Sequence, residues 1–277
     1  MHERQFEVKQ VADAFGVQAA EVDHLGTGAF GETWRVGSAN AWKIIYSDEF
    51  PAERLEREVE GLLRIRDPRV VKLHERITLG IAGRPRAALR FEFVPGGGLD
   101  ARIKQGPLPA ASVLALTRGL LHAAGVLRTA QLVHRDIKPA NVVLRGGDPA
   151  EPVLLDLGLA KPLDASSITI YPHFVGTVLY AAPEQLRGER ARNAADLWSI
   201  GVVAAQALTG KHPYWRPGLH TDPAALFAAL DAVRPELPAD TPALLRTVIT
   251  KLLSPRKAAR GSAGTVKRML DGSATME

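Results

Sequence analysis

The stretch LVHRDIKPANVVL, residues 132–144, is the part of this chain that decides its fold. It crowds ionisable and amide side chains between two short apolar runs, and these polar residues are His134, Arg135, Asp136, Lys138 and Asn141. A solvated loop can be this polar, but it is not normally clamped between segments that belong to a core. The pattern therefore indicates charged groups that are held together beside the core for a chemical purpose.

The composition is that of a globular protein, with 277 residues, 46% hydrophobic and 23% charged. This length suits one large domain or two lobes that share a cleft. The absence of cysteine excludes disulfides, thiolate nucleophiles and cysteine-ligated metals. No uninterrupted apolar stretch approaches the ~18 residues of a membrane span, and the first residues open no signal peptide. We therefore expect a soluble, cytoplasmic protein without a membrane partner.

The net charge of +5 raises the possibility of an anionic partner. Lysine and arginine are scattered among acidic residues, however, with no dense basic block and no interleaved aromatics. A basic cleft for phosphates explains this balance at least as well as nucleic acid does. We expect no nucleic-acid partner.

The two halves of the chain predict different secondary structure. The first half predicts strands in residues 21–36, 40–46, 70–80 and 87–94, with one amphipathic helix in residues 52–66. After a glycine-rich bend at 95–98, long Ala/Leu-rich helices are predicted in residues 110–131, 195–210, 242–253 and 263–270. A short helix is also predicted within residues 6–17. The pattern favours a small β-rich lobe joined to a larger helical lobe near residues 92–98.

The segment GTGAFG, residues 26–31, fits the pattern G-x-G-x-x-G, which is weak evidence alone because a tight hairpin also needs glycines. A dinucleotide fold requires a helix after this motif. Here a strand follows, which favours a flap whose backbone amides can approach phosphates. Lys43 on the next strand is costly to bury unless it meets anions, although an exposed cross-strand lysine is the simpler alternative. Glu58 lies beside the apolar stripe of the helix that follows, and its carboxylate could pair with the ammonium group of Lys43.

With Asp156-Leu157-Gly158 and Ala182-Pro183-Glu184 following in order, the chain resembles a eukaryotic-like, Hanks-type serine/threonine protein kinase of bacterial kind, from about residue 25 to about residue 270. The resemblance implies an α+β, bilobal protein-kinase fold. Its parts are an N-terminal extension (1–20), a β-rich N-lobe (21–94) and a helical C-lobe (95–277), with the catalytic domain spanning 21–271. It also implies that ATP and Mg²⁺ are used to phosphorylate Ser/Thr hydroxyls of protein substrates, and that the enzyme autophosphorylates.

The resemblance also assigns roles to single residues. The catalytic residues it implies are Asp136, Lys138, Lys43, Glu58 and Thr177. The ATP-binding residues it implies are Leu25, Gly26, Gly28, Gly31, Ala41, Lys43, Phe91, Glu92, Val94 and Val143. Asn141 and Asp156 would hold the metal ion. The regulatory residues would be Arg135, Ser166, Ser167 and Thr169. The structural residues would be Glu184, Arg260, Asp196, His134 and Leu157.

Some positions depart from the family pattern. Leu157 stands where phenylalanine is usual, Thr33 where valine is usual, and Trp42 is an unusually large neighbour for Lys43. None of these changes removes a catalytic group, which disfavours a kinase-shaped scaffold protein. A small-molecule kinase of related fold remains the other alternative, but that group lacks the glycine flap and the Ala-Pro-Glu segment.

Overall fold

A computed structural model describes residues 4–28, 30–46, 52–156, 179–189, 192–215, 230 and 235–272, apart from the side chains of residues 52–54, 57 and 58. The chain divides into two compact units, an N-terminal unit (Met1–Val94) and a C-terminal unit (Pro95–Glu277).

The N-terminal unit contains an antiparallel sheet of five strands in the order β1-β2-β3-β5-β4. Its elements are α1 (Val8–Phe15), β1 (Val22–Thr27), β2 (Gly31–Val36), β3 (Asn40–Ile45), α2 (Ala52–Leu63), β4 (Leu73–Ile81) and β5 (Arg84–Glu92). The predicted strands and both predicted helices are confirmed.

The two faces of this sheet carry different side chains. Across the β2–β3 pair, Trp34 lies opposite Trp42, and Thr33 lies opposite Lys43. Because alternate residues of a strand point to opposite faces, the tryptophan pair and the Thr33–Lys43 pair lie on different faces. The tryptophan face forms a hydrophobic cluster with residues of the N-terminal segment.

Helix α1 covers the tryptophan face. Its side chains Val11 and Ala12 are buried, and the helix ends at Gly16 in the left-handed conformation. The ring of Phe15 packs against that of Trp42 with 4.8 Å between centroids. The large Trp42 is therefore accommodated because it points to α1, away from the face that carries Lys43.

The C-terminal unit is mainly helical. Its elements are α3 (Leu99–Lys104), α4 (Ala110–Thr129), β6 (Val142–Leu144), β7 (Pro152–Leu154), α5 (Pro183–Leu186), α6 (Asn193–Thr209), α7 (Ala243–Leu252), α8 (Lys257–Arg260) and α9 (Ala263–Gly272). The four long helices match the prediction. The short helices α3, α5 and α8 and the strand β7 were not predicted.

The core of this unit is built around α4 and α6, which pack against each other, with α9 on α4 and α7 on α6. Glycine at position 201 allows the close crossing of α6 and α7, since an added Cβ would lie 2.8 Å from the Cβ of Leu252. Gly210 ends α6 in the left-handed conformation, which is the usual role of glycine at the end of a helix.

Helix α4 corrects one expectation. Among the helices of the described ranges, it is long and apolar enough to cross a membrane, judged by length and composition alone. The sequence did not predict this because Thr117, Arg118 and His122 interrupt the apolar run of the helix. Half of its most apolar window is buried inside the protein. The core helix of a soluble protein passes the same test, so the finding is weak evidence for a membrane span, and location in the cytoplasm stays a prediction.

Candidate active site

The catalytic loop, residues 134–141, brings three of the predicted site residues into contact. The ammonium of Lys138 lies 3.0 Å from Oδ2 of Asp136. The side-chain amide of Asn141 donates to the same oxygen at 3.1 Å and to the backbone carbonyl of Asp136 at 2.8 Å. Two donors thus fix the orientation of one partly exposed carboxylate. Ile137, fully buried between them, ties the loop to the core.

Asp196 holds the backbone at the start of this loop. Its Oδ2 accepts from the amide of His134 at 3.0 Å, and its Oδ1 accepts from the amide of Arg135 at 2.8 Å. Asp196 is fully buried, and burial raises the pKa of its carboxyl, although the hydrogen bonds from the two backbone amides oppose the rise. Arg135 has a φ of 66°, which a non-glycine residue adopts only when its surroundings impose it. The two hydrogen bonds of Asp196 supply part of that constraint.

His134 connects the loop to strand β7. Its Nδ1 accepts from the amide of Asp136 at 3.3 Å, so the ring proton belongs on Nε2, which lies 2.8 Å from the carbonyl of Leu155. This buried imidazole therefore joins the residue before Asp156 to the catalytic loop. The resemblance also assigned a structural role to Leu157, which lies outside the described ranges.

The hairpin β6–β7 brings the two predicted metal ligands to the same end of a two-stranded ladder. Val142 pairs with Leu154, and the amide of Leu155 donates to the carbonyl of Asn141 at 2.9 Å. Asp156 is the next residue and has a φ of 50°. An amide oxygen and a carboxylate oxygen are suitable ligands for Mg²⁺, which is bound through few protein groups together with substrate phosphates. The described residues contain no cluster of three or more His, Cys, Asp or Glu side chains that could hold a metal by themselves.

A buried ion pair fixes α5 to α8. Arg260 donates from Nη1 to Oε1 of Glu184 at 2.6 Å and from Nη2 to Oε2 at 2.9 Å. The guanidinium also donates to the carbonyls of Ala194 and Ser254, and it lies 5.0 Å from the centre of the Trp198 ring. Neither charged side chain is more than 5% exposed. The resemblance assigned a structural role to both residues, and this ion pair is consistent with that role.

In the N-terminal unit, the glycine-rich loop (residues 26–31) joins β1 to β2. The amide of Gly28 donates to the carbonyl of Gly31 at 2.9 Å and closes the turn. Gly31 has no room for a side chain, because an added Cβ would lie 2.6 Å from the carbonyl of Ile44. An added Cβ at Gly26 would meet nothing within 4 Å, so packing does not explain that glycine. Leu25 before it is exposed.

Three of the residues predicted to bind ATP, namely Ala41, Lys43 and Phe91, lie on one face of the sheet. Ala41 pairs with Phe91 and Lys43 pairs with Leu89, so these side chains point away from α1. Ala41, Lys43 and Phe91 are buried, and Lys43 is only 6% exposed. Glu92 ends β5, Val94 is buried beyond it, and Val143 belongs to β6 of the C-terminal unit.

Several predicted residues lie outside the described part of the chain. They are Leu157, Ser166, Ser167, Thr169 and Thr177, together with the side chain of Glu58. Their assigned roles stay predictions.

Sequence reasoning missed Gln185, which connects α5 to the catalytic loop. Its Oε1 accepts from the amide of Ala182 at 2.9 Å, and its Nε2 donates to the carbonyl of Arg135 at 3.4 Å. A glutamine three residues after the N-cap residue, here Ala182, is a capping signal, which could have indicated the first contact. The second depends on tertiary structure.

Comparison with known proteins identifies the family of this chain. The protein kinase domain family matches residues 19–269, and the chain belongs to this family. Its relatives include the serine/threonine-protein kinase PknA of Mycobacterium tuberculosis (31% identical over 255 residues, covering 87% of this chain and 57% of PknA). They also include the serine/threonine-protein kinase PkaA of Streptomyces coelicolor (30% over 268 residues, covering 89% and 48%). The chain is thus a bacterial-type serine/threonine protein kinase by family, and it spans about half the length of these relatives.

A solved structure shows the same fold. The crystal structure of Rad53 1-466 in complex with AMP-PNP aligns with a TM-score of 0.72 at 25% identity, and the alignment covers 89% of this chain and 63% of that one. The predicted α+β protein-kinase fold is therefore confirmed.

Proposed function

We propose that this chain transfers the γ-phosphoryl group of ATP to serine or threonine hydroxyls of protein substrates. The observation that carries the proposal is the catalytic loop, in which Lys138 and Asn141 both donate to one oxygen of Asp136. Phosphoryl transfer needs little covalent help from a protein, but it needs charge and alignment. A carboxylate held this firmly can orient an attacking hydroxyl.

In the proposed reaction, the acceptor hydroxyl oxygen bonds to the γ-phosphorus as the bond between that phosphorus and the bridging oxygen of ADP breaks. Asp136 accepts the hydroxyl proton. Lys138, already 3.0 Å from Asp136, offsets negative charge on the transferring group. The buried Lys43 does the same for the remaining phosphates.

The metal site that the family implies fits the residues present. Asn141 directly precedes β6 and Asp156 lies two residues after β7, at the same end of the β6–β7 ladder, and both offer the oxygen donors that Mg²⁺ prefers. Bound Mg²⁺ would neutralise charge on the phosphates. Asn141 also donates to Asp136, so one side chain would serve both metal binding and acceptor alignment.

The glycine-rich loop is assigned to the phosphates of ATP. The open space beside Gly26 supports this, because among the described residues none lies close enough to exclude a side chain there. Backbone amides without a neighbouring Cβ can approach phosphate oxygens closely.

Autophosphorylation is proposed at Thr169 first and at Ser167 second, with Ser166 as the remaining candidate. These hydroxyls precede Thr177 in the segment after Asp156. A phosphate there adds about −1.5 to −2 charge, which the guanidinium of Arg135 could hold in a bidentate contact.

The test is transfer from labelled ATP, with Mg²⁺ and a generic basic protein as acceptor. We expect Asp136→Asn to lower kcat by at least ~10²-fold while ATP binding survives, because Asp136 acts on the hydroxyl. The exposed Asp240→Asn is the matched control and should behave as wild type. Chelation of Mg²⁺ should abolish transfer. Mass spectrometry of wild type and Asp136→Asn after incubation with ATP then maps the phosphosites. Near wild-type turnover of Asp136→Asn contradicts the mechanism, and transfer to small molecules alone contradicts the substrate class.

A further inference from the structure

The face of the N-terminal sheet under α1 contains one acidic residue, Glu32, that no family role explains. Glu32 directly follows the last glycine of the glycine-rich loop, and its side chain is completely buried. Its Oε2 accepts from the indole nitrogen of Trp34 at 3.1 Å, and its Oε1 accepts from the backbone amide of Gln5. Burying a carboxyl group is costly unless its oxygens are hydrogen-bonded. The N-terminal segment, residues 4–16, thus satisfies a group at the base of the glycine-rich loop.

Tyr46, at the end of β3, holds the turn of the same loop. Its hydroxyl donates to the carbonyl of Gly28, and its amide donates to the carbonyl of Phe30 at 3.0 Å. Its own carbonyl accepts from Arg86 at 2.7 Å, which fixes this residue to β5. Burial and the nearby Glu32 raise the pKa of the Tyr46 hydroxyl, so it is a proton donor at neutral pH.

The N-terminal segment also reaches Tyr46 directly. The buried ring of Phe6 meets the ring of Tyr46 edge to face, with 6.5 Å between centroids. Gln5 and Phe6 are consecutive, so adjacent residues contact Glu32 on one side of the turn and Tyr46 on the other. The contacts all lie within the N-terminal unit.

We propose that Tyr46 and Glu32 are positioning residues for the glycine-rich loop, and that docking of residues 4–16 sets the affinity of this kinase for ATP through them. The inference rests on the proposed function, because it assigns the loop to ATP phosphates. In this proposal the segment does more than cover apolar surface. By packing against Tyr46 it helps to fix the backbone carbonyls of Gly28 and Phe30, and with them the direction of the loop amides.

The first test is Tyr46→Phe in the full chain, which removes one hydroxyl and keeps the ring that Phe6 contacts. We expect the KM for ATP to rise about three- to tenfold, which corresponds to roughly 0.7–1.4 kcal/mol at about 1.36 kcal/mol per factor of ten, with kcat changed less than about twofold. The matched control is Lys9→Ala on the exposed side of α1, where the side chain forms a surface ion pair with Asp13. It should leave both constants unchanged.

The second test is amide hydrogen exchange on the ligand-free protein, which needs no catalytic activity. Exchange at residues 28–31 should accelerate in Tyr46→Phe and in Phe6→Leu, with no change in the strands β4 and β5. Phe6→Leu keeps an apolar side chain in place and removes the edge-to-face contact. Unchanged exchange in either variant, or an equal rise throughout the sheet, overturns the proposal. If the wild type transfers no phosphate, the proposed function fails, and exchange still decides whether the segment positions the loop.

Discussion

Asp196 and Glu184 are both buried carboxylates of the C-terminal unit, but they have different partners. Glu184 faces a guanidinium in a two-point ion pair with Arg260. Asp196 accepts one hydrogen bond on each oxygen from backbone amides of the catalytic loop. The first contact joins two side chains that are remote in sequence, and the second shapes a stretch of backbone.

Because their partners differ, Glu184 and Asp196 are expected to contribute to different properties of the protein. An ion pair that fastens one short helix to another acts on the cohesion of the unit. A carboxylate that fixes two consecutive amides acts on the conformation of a loop that carries Asp136, Lys138 and Asn141. We therefore expect substitution of the ion pair to appear mainly in stability and substitution of Asp196 mainly in turnover.

The largest effect is expected for Arg260→Met. Glu184 would stay buried without its cation, and the carbonyls of Ala194 and Ser254 would lose a donor. We expect the free energy of unfolding to fall by about 3–5 kcal/mol, measured by denaturant titration. Transfer activity per folded molecule should change much less.

Two variants sharpen that prediction. In Glu184→Leu/Arg260→Met both charges are gone, and on the order of 1–2 kcal/mol should be regained relative to Arg260→Met. The exposed pair of Lys257 and Glu189 lies nearby, and Lys257→Ala should leave the melting temperature within about 1 °C of wild type. A double variant no more stable than the single one would show that packing of Arg260, and not charge pairing, dominates.

The next effect is that of Asp196→Asn. The remaining side-chain oxygen can still accept a hydrogen bond from one backbone amide, but the new NH₂ group faces the other amide and cannot accept one. The catalytic loop therefore loses one of the two hydrogen bonds that Asp196 provides. The substitution also removes a charge that burial disfavours, which limits the loss of stability to about 1–2 kcal/mol. We expect kcat to fall at least ~10-fold, beyond what the melting temperature explains. Equal turnover per folded molecule in Asp196→Asn and wild type would break the comparison with Glu184.

The smallest effect concerns acid stability at His212. Burial lowers the pKa of His212 to about 4, so the folded protein holds it neutral while the unfolded chain protonates near pH 6.5. A lowered pKa stabilises the fold above pH 6.5, and this contribution is lost as the pH falls toward 4. Between pH 7.5 and 5 the loss should be on the order of 1–2 kcal/mol.

His212→Phe tests this assignment. His212 packs edge to face against Tyr180 at 4.8 Å, a geometry that phenylalanine can keep. The variant should show a flatter fall in melting temperature between pH 7.5 and 5, measured by calorimetry at constant ionic strength. A slope as steep as that of wild type would assign the acid sensitivity to another group that titrates in this range, such as His74, whose pKa burial also lowers.

The long elements and the catalytic loop could be predicted because their signals are local. Helical periodicity marks α2 and α7, and the crowded polar stretch at 134–141 marks the site. The roles of Asp196 and Glu184 came only from the resemblance, since nothing within either helix shows what its carboxylate contacts.

Other features could not be predicted, for physical reasons. Helices α5 and α8 are too short to form without tertiary contacts, so no periodicity identifies them. Glu32 follows a glycine on a strand and looks exposed in sequence, and its burial results from coverage by the N-terminal segment. Trp42 stood out as unusually large because it is next to Lys43 in sequence. Neighbouring residues of a strand point to opposite faces of the sheet, so the two side chains do not share one environment.

Helix α4 has a consequence for how this protein is made on the ribosome. Its apolar surface is covered by α6 and α9, and Arg118 on α4 contacts the carbonyl of Leu270 and the carboxylate of Asp271 near the end of the described chain. At ~5–20 residues per second, synthesis from Thr129 to Gly272 takes roughly 7–30 s. During that interval the apolar surface of α4 lacks its partner helix α9 and can bind other apolar surfaces, while the N-terminal unit can already fold. The C-terminal unit is therefore the part that should depend on chaperones during translation.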